Sequence, residues 1–194
     1  MKDIFLYIQS DYFRYTGKKD SWIKILRYLL WGRNHCFNYS FWLRLSSRKN
    51  IFFPWALLMH KRLTRKYGIQ IPRTTKIGYG FYIGHGIGIV INGGTIIGNN
   101  CNVSQFLSIG TNKNTPAIIG DNVYIGPSVC IIEDVKIGND ATIGAGAVVV
   151  KDVPERSTVA GVPAKVISYN NHSKYICNKF IIAEFNLQMQ QNSD

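Results

Sequence analysis

The residue best suited to acid–base chemistry is His85, which lies in the run Gly84-His85-Gly86. Glycine on both sides leaves the imidazole uncrowded and lets a ligand approach the backbone closely. A histidine with its ordinary pKa of about 6.5 can take a proton from a hydroxyl while that oxygen attacks a carbonyl. His85 is therefore the candidate general base. The competing interpretation is a surface histidine without a chemical role.

The elements that would position His85 belong to a six-residue repeat between residues 71 and 153. An aliphatic residue opens each block, and in the regular part these residues are Ile119, Ile125, Ile131, Ile137, Ile143 and Val149. A period of six does not follow the 3.6 residues of a helical turn, and it is typical of a parallel β-solenoid. Two irregularities are assigned to an eight-residue block at residues 89–96 and an insert at residues 111–117. Inserts of this kind form surface loops, often on the binding face.

Three blocks make one coil of a triangular solenoid, so residues roughly 18 apart, adjusted for inserts, lie above one another. The predicted column comprises His85, Gln105, Pro127 and Ala145, at about 4.8 Å per coil. It runs from a titratable base to small residues, which suits a groove for a long thin ligand. Gln70 is placed about one coil below His85, where its amide would hydrogen-bond an imidazole nitrogen and fix the tautomer.

Charge is distributed unevenly along the 194 residues. The net charge is +12, and residues 1–66 alone hold 14 Lys/Arg against three Asp. This asymmetry indicates an anionic partner such as a membrane surface or a polyanion. Nucleic acid is disfavoured because no binding motif accompanies the charge. The four cysteines are far apart and show no metal-ligand spacing, so neither disulfides nor a metal site is expected.

The chain is predicted to have three parts: a helical, basic and aromatic region at residues 1–68, the repeat domain at residues 69–166, and a tail at residues 167–194. Helical spacing indicates four segments in the first part, the third from about Asn38 to Arg48, and a short helix from Ser173 to Gln188 in the tail. The first part either caps the open edge of the solenoid or lies on anionic lipid, and the two roles are compatible. No signal peptide or membrane-spanning run is present, so a cytoplasmic location is expected, with peripheral contact to the inner membrane face through residues 1–66 as a further hypothesis.

Four stretches together resemble the left-handed β-helix hexapeptide acyltransferases, in particular the serine acetyltransferase-like branch. They are residues 84–91 (GHGIGIVI), 104–110 (SQFLSIG), 143–149 (IGAGAVV) and 160–165 (AGVPAK). The resemblance implies a left-handed parallel β-helix, a homotrimer with active sites between subunits, acetyl-CoA as the donor, no metal, and His85 as the general base. The CoA arm would follow Ser108, Gly110, Thr111, Gly126, Pro127, Gly144 and Ala145, with Lys165 near its phosphates.

Departures from that family concern the acceptor. Serine acetyltransferases carry an Asp before the base where this chain has Gly84, a carboxylate where it has Gln70, and an Arg-His pair where Asn114-Thr115 precede Pro116. Without them, serine would lose charge-assisted contacts of roughly 1.5–3 kcal/mol each. These features are similar to the branch that O-acetylates surface polysaccharides.

The resulting hypothesis is an acetyl-CoA-dependent O-acetyltransferase of capsule, exopolysaccharide or lipopolysaccharide biosynthesis, acting on a glycan acceptor that is lipid-linked or free. Transfer would be direct, with Gln105 or a backbone N–H near Gly110 stabilising the oxyanion. Cys101 is expected to face the core, which disfavours a covalent acyl-enzyme. The alternatives are a serine O-acetyltransferase of cysteine biosynthesis and a non-catalytic scaffold at the membrane surface.

Overall fold

Four helices precede a solenoid of short strands in the computed structural model, which describes residues 2–32, 34–112, 115–170 and 173–184. The helices are α1 (Lys2–Thr16), α2 (Trp22–Trp31), α3 (His35–Ser46) and α4 (Phe53–Tyr67). The strands are β1 (Lys76–Ile77), β2 (Tyr82–Ile83), β3 (Val90–Ile91), β4 (Ile96–Ile97), β5 (Asn102–Val103), β6 (Ser108–Gly110), β7 (Ile118–Ile119), β8 (Tyr124–Ile125), β9 (Cys130–Ile132), β10 (Lys136–Ile137), β11 (Thr142–Ile143), β12 (Val148–Val149), β13 (Thr158–Ala160) and β14 (Lys165–Ser168). No helix in these ranges is both long and apolar enough to cross a bilayer.

The strands form three sheets, as expected for a coil with three sides. The first sheet is β1-β4-β7-β10, the second is β2-β5-β8-β11-β13-β14, and the third is β3-β6-β9-β12. The pairs within them are parallel except for β13 with β14, which turns back antiparallel at the end of the solenoid. The predicted mainly β parallel solenoid with N-terminal helices is confirmed.

The six-residue period is the spacing of side chains that point into the coil. The block-opening residues Ile119, Ile125, Ile131, Ile137, Ile143 and Val149 are each at most 3% exposed. Cys101 is fully buried, as predicted from its position in the repeat. Because every coil buries one such residue on each side, the core extends along the whole solenoid axis.

Side chains of α1 and α3 cap the open edge of the first coil. An edge coil presents backbone N–H and C=O groups that no further coil satisfies. Here they bond to Ser10, Asp11, Arg14, Tyr15, Tyr39 and Arg44. Asp11 and Arg44 also form a buried ion pair at 2.8 Å. The helices therefore replace the missing neighbour strand, as the capping interpretation predicted.

Two predicted elements have different bounds in the structure. Helix α3 begins at His35, three residues before the predicted Asn38, because the Asn34 side chain caps it by accepting from the backbone N–H groups of Cys36 and Phe37. The predicted tail helix is wrong over residues 173–181, which are not helical. Asn100 and Asn102 bind the backbone of this stretch at Phe180 and Tyr175, so it lies along the second sheet. Residues 182–184 are helical as predicted, and residues 185–188 of that predicted helix lie outside the described residues.

Candidate active site

His85 lies on a turn that protrudes where the chain passes from the second sheet to the third. Ile83 pairs with Val103, and Ile91 pairs with Ile109. Between these two pairs the first coil advances by eight residues, whereas the next coil advances by only six. The two extra residues therefore fall in the His85 turn, and their assignment to residues 89–96 was wrong. The period alone could not distinguish the two positions, because Ile89 and Ile91 are both buried.

The backbone of this turn forms hydrogen bonds both within the turn and with the next coil. The Ile87 N–H donates to the His85 carbonyl, and the Phe106 N–H of the next coil donates to the Ile87 carbonyl. The His85 side chain is exposed, and it has no hydrogen-bond partner among the described residues. Its imidazole is therefore accessible to a ligand.

Two side chains and one backbone carbonyl from the helical region form hydrogen bonds with the turn. The Tyr15 hydroxyl accepts from the Ile83 N–H at 2.9 Å. The buried Cys36 thiol accepts from the Gly86 N–H at 3.1 Å and lies 3.8 Å from the Gly84 carbonyl, to which it donates. The Tyr67 carbonyl accepts from the Gly88 N–H at 3.1 Å. Sequence analysis missed these contacts, because nothing local indicates that residues 15, 36 and 67 meet residues 83–88.

The two glycines beside His85 have different steric roles. A Cβ on Gly86 would lie 3.0 Å from Ile69 Cδ1 and 3.1 Å from the Cys36 sulfur, so a substitution there requires these side chains to shift. A Cβ on Gly84 would meet nothing closer than the Val103 carbonyl oxygen at 3.6 Å. A side chain is therefore accommodated more easily at Gly84 than at Gly86.

The residues predicted to stack above His85 occupy the same corner of the solenoid. The Ser128 N–H donates to the Gln105 carbonyl, and the Gly146 N–H donates to the Pro127 carbonyl, which fixes the order Gln105, Pro127, Ala145. Gln105 is half-buried, and its Oε1 is buried without a hydrogen-bond partner among the described residues. The corner above His85 thus presents one polar side chain and then small ones.

Gln70 does not take the role predicted for it. Its backbone forms a bridge with Val90, its N–H donates to the Ile89 carbonyl, and its carbonyl accepts from the Ile91 N–H. No hydrogen bond joins its side chain to His85 among the described residues. The reason is that the two extra residues lie before Ile91. Gln70 therefore pairs with Val90, which follows the protruding turn in the chain.

A groove of about 420 Å³ runs over the third sheet beside this corner. It is lined by Val90, Ser108, Gly110, Thr111, Cys130, Ile132 and Glu133, among others. Three of the predicted CoA-binding residues are in this lining, namely Ser108, Gly110 and Thr111. Gly126, Pro127, Gly144 and Ala145 lie on the corner, and Lys165 is exposed on β14. The predicted set is therefore spread over the third sheet, the adjoining corner and the strand that ends the second sheet.

Glu133 is a groove residue that sequence analysis did not identify. Its carboxylate accepts a hydrogen bond from the Thr111 hydroxyl at 3.2 Å. A carboxylate here disfavours placing a phosphate at this point of the groove. The phosphates of a CoA arm would therefore lie nearer to Lys165 than to Glu133.

Cys36 and Cys101 are unsuited to act as nucleophiles. Burial raises the pKa of the Cys101 thiol to about 12 and raises the pKa of Cys36 as well. Both groups therefore remain protonated near neutral pH, and a thiol is a poor nucleophile compared with its thiolate. Within the described residues, no cluster of three His, Cys, Asp or Glu side chains could hold a metal ion.

A comparison with known families finds the same repeat. Residues 116–151 match the sequence model of the family described as bacterial transferase hexapeptide (six repeats). Among curated proteins, the chain is similar to serine acetyltransferase 4 of Arabidopsis thaliana, with 38% identity over 118 residues, 59% of this chain and 33% of that protein. It is also 38% identical over 131 residues to the serine acetyltransferase of Bacillus licheniformis, 65% of this chain and 59% of that protein.

The chain is also similar to solved structures of serine acetyltransferases. The serine acetyltransferase of Neisseria gonorrhoeae in complex with serine aligns with a TM-score of 0.71 and 27% identity, covering 86% of this chain and 70% of that one. A serine acetyltransferase in complex with CoA aligns with a TM-score of 0.69 at 23% identity, covering 86% and 70%, which supports the fold. The chain spans about a third to three-fifths of the length of the curated relatives given above.

These relatives contradict the hypothesis of a glycan acceptor and a role in polysaccharide biosynthesis. The relatives and structures compared above are serine acetyltransferases. The hypothesis relied on a few departures around the acceptor, whereas the similarity extends over more than half of the chain. The alternative of a serine O-acetyltransferase is better supported.

Proposed function

We propose that this protein is an O-acetyltransferase that transfers the acetyl group of acetyl-CoA to the hydroxyl of serine. The observation that carries the proposal is the position of His85 on a protruding turn, at the foot of the corner that leads to the groove over the third sheet. The names of the relatives support serine as the acceptor. A homotrimer with a second subunit closing each site is part of the proposal.

The proposed reaction is direct transfer. His85 takes the proton of the serine hydroxyl, and the oxygen attacks the thioester carbonyl of acetyl-CoA. The Gln105 amide or a backbone N–H near Gly110 donates to the oxyanion of the tetrahedral intermediate. When that intermediate collapses, the C–S bond breaks, and the protonated His85 returns its proton to the CoA thiolate. The burial of Cys36 and Cys101 disfavours an acyl-enzyme on either of these two thiols.

In the proposed reaction, serine binds without the Asp carboxylate that serine acetyltransferases carry directly before the general base. Gly84 supplies no carboxylate next to His85. The position has room for a side chain, so the absence of the charge is not imposed by packing. We therefore expect a high KM for serine rather than loss of the reaction. Asn114, one of the residues replacing the Arg-His pair, lies outside the described residues.

The direct test is thiol release from acetyl-CoA by the full chain. Serine-dependent release with formation of O-acetylserine is expected, and threonine and glycine serve as acceptor controls. Thiol release that is independent of added serine would contradict the acceptor. A protein that binds acetyl-CoA but releases no thiol with any hydroxyl compound would instead support the alternative of a non-catalytic scaffold.

A further inference from the structure

Helix α2 carries apolar residues on the side that faces away from the protein. It packs on the other helices through Ile25 and Leu29, which are at most 7% exposed. On the opposite side, Ile23, Leu26 and Leu30 are 44–72% exposed, and their spacing places them on one stripe. A helix that packs on a core through one face normally has polar residues on the other. The outer stripe of α2 is therefore apolar without a partner among the described residues.

Helix α4 shows a related arrangement along its length. Phe52, Trp55 and Leu58 follow one another on a single face and are 54–60% exposed. Further along the same face come the exposed cations Arg62 and Arg65. The helix begins with aromatic and aliphatic residues and continues with positive charge. Ala56 anchors it in the same apolar cluster that holds Ile25 and Leu29 of α2.

The charge along both helices is mostly positive. Between Asp20 and Asp121 the sequence contains no Asp or Glu, while it contains 13 Lys/Arg. Exposed cations flank the apolar stripe of α2 at Lys24 and Arg27, of which Lys24 forms a salt bridge with Asp20 at 2.9 Å. Because the other cations of this stretch far outnumber nearby carboxylates, the surface attracts anions over distances of about a Debye length, near 8 Å at physiological salt.

We propose that the outer faces of α2 and α4 bind the surface of a bilayer that contains anionic phospholipids. Aromatic and aliphatic side chains that stand beside Lys and Arg are favoured at the boundary between headgroups and acyl chains. The Trp and Leu side chains enter this boundary, and the cations contact the phosphates. A soluble polyanion would use the cations but would leave Leu30, Trp31 and Trp55 in water. The contact is peripheral and does not depend on the reaction proposed above.

Vesicle co-sedimentation of the full-length protein tests the proposal. Phosphatidylcholine vesicles are compared with vesicles that contain about a quarter phosphatidylglycerol, at low and high salt. Binding is expected only to the anionic vesicles, and it should weaken as salt rises. Leu30→Ser should reduce the partition coefficient roughly tenfold through the lost apolar area. Its matched control is Ile167→Ser, since Ile167 is similarly exposed (65% against 72%) but lies on β14.

Charge is tested by a second pair of variants. The double variant Arg62→Gln/Arg65→Gln should bind anionic vesicles about twenty-fivefold more weakly, roughly fivefold for each cation removed. Lys136→Gln/Lys151→Gln removes two exposed solenoid charges and should bind like the wild type. Failure of the wild type to bind anionic vesicles overturns the proposal, as does equal loss in the control variants. A Leu30→Ser protein that changes its mass in solution while retaining vesicle binding would show that a second copy of the chain covers this face.

Discussion

Replacing Cys36 with alanine should disturb catalysis through the turn that carries His85. The thiol accepts the Gly86 N–H at 3.1 Å and donates to the Gly84 carbonyl, so it is bonded to both residues that flank His85. Alanine leaves the buried Gly86 N–H without an acceptor, which costs roughly 1–3 kcal/mol of folding stability. If the turn relaxes to recover that bond elsewhere, His85 moves with it. Because a misplacement of about 1 Å at a reacting group can cost about a hundredfold, kcat should fall about tenfold to hundredfold.

The assay separates positioning from general destabilisation. In Cys36→Ala, kcat for acetyl transfer should fall while KM for acetyl-CoA stays near the wild-type value, because the groove over the third sheet does not contact Cys36. Cys36→Ser retains a donor and an acceptor at the same place, and it should recover most of kcat. Wild-type kcat in Cys36→Ala, or failure of the serine variant to recover activity when it is folded, would refute the role of this thiol.

The glycines beside His85 and the buried His60 can be tested in the same way. Gly84→Asp should lower KM for serine roughly tenfold to hundredfold by adding one charge-assisted contact. Gly86→Asp should abolish activity, because its Cβ meets Ile69 and Cys36. Equal steady-state kinetics for the two variants would contradict this steric difference. Burial lowers the pKa of His60 to about 4, while an unfolded histidine titrates near 6.5. Between these pH values the unfolded chain therefore binds more protons than the folded chain. The free energy of unfolding should fall by about 3 kcal/mol as pH drops from 6.5 to 4. Urea unfolding measures this slope, and His60→Leu should flatten it; an unchanged slope would assign the pH dependence to other groups.

The repeat could be predicted because its signal is local and recurs along the chain. Each buried aliphatic residue is repeated every six positions, so a single error does not change the architecture. The location of the two extra residues could not be predicted, since Ile89 and Ile91 fit the core equally well until the pairing of Ile91 with Ile109 is known. That one uncertainty also misplaced Gln70 relative to His85.

The contacts that hold the His85 turn and the identity of the acceptor could not be predicted from the repeat. Cys36 reaches Gly86 across fifty positions of the chain, and Tyr15 reaches Ile83 across sixty-eight. Such contacts join a side chain on a helix to backbone in a turn, and they leave no periodic signal. The acceptor was misjudged because Gly84 was interpreted as evidence against serine, whereas the relatives that are similar over more than half of the chain are serine acetyltransferases.

The central claim is that His85 removes the proton of the serine hydroxyl during transfer from acetyl-CoA. The most direct measurement is the rate of serine-dependent thiol release by His85→Ala and wild-type protein at saturating acetyl-CoA. The variant should be slower by roughly 10²–10⁴-fold, the usual contribution of a general base, while it binds acetyl-CoA as tightly as the wild type. Serine acetylation by His85→Ala at the wild-type rate would contradict the claim.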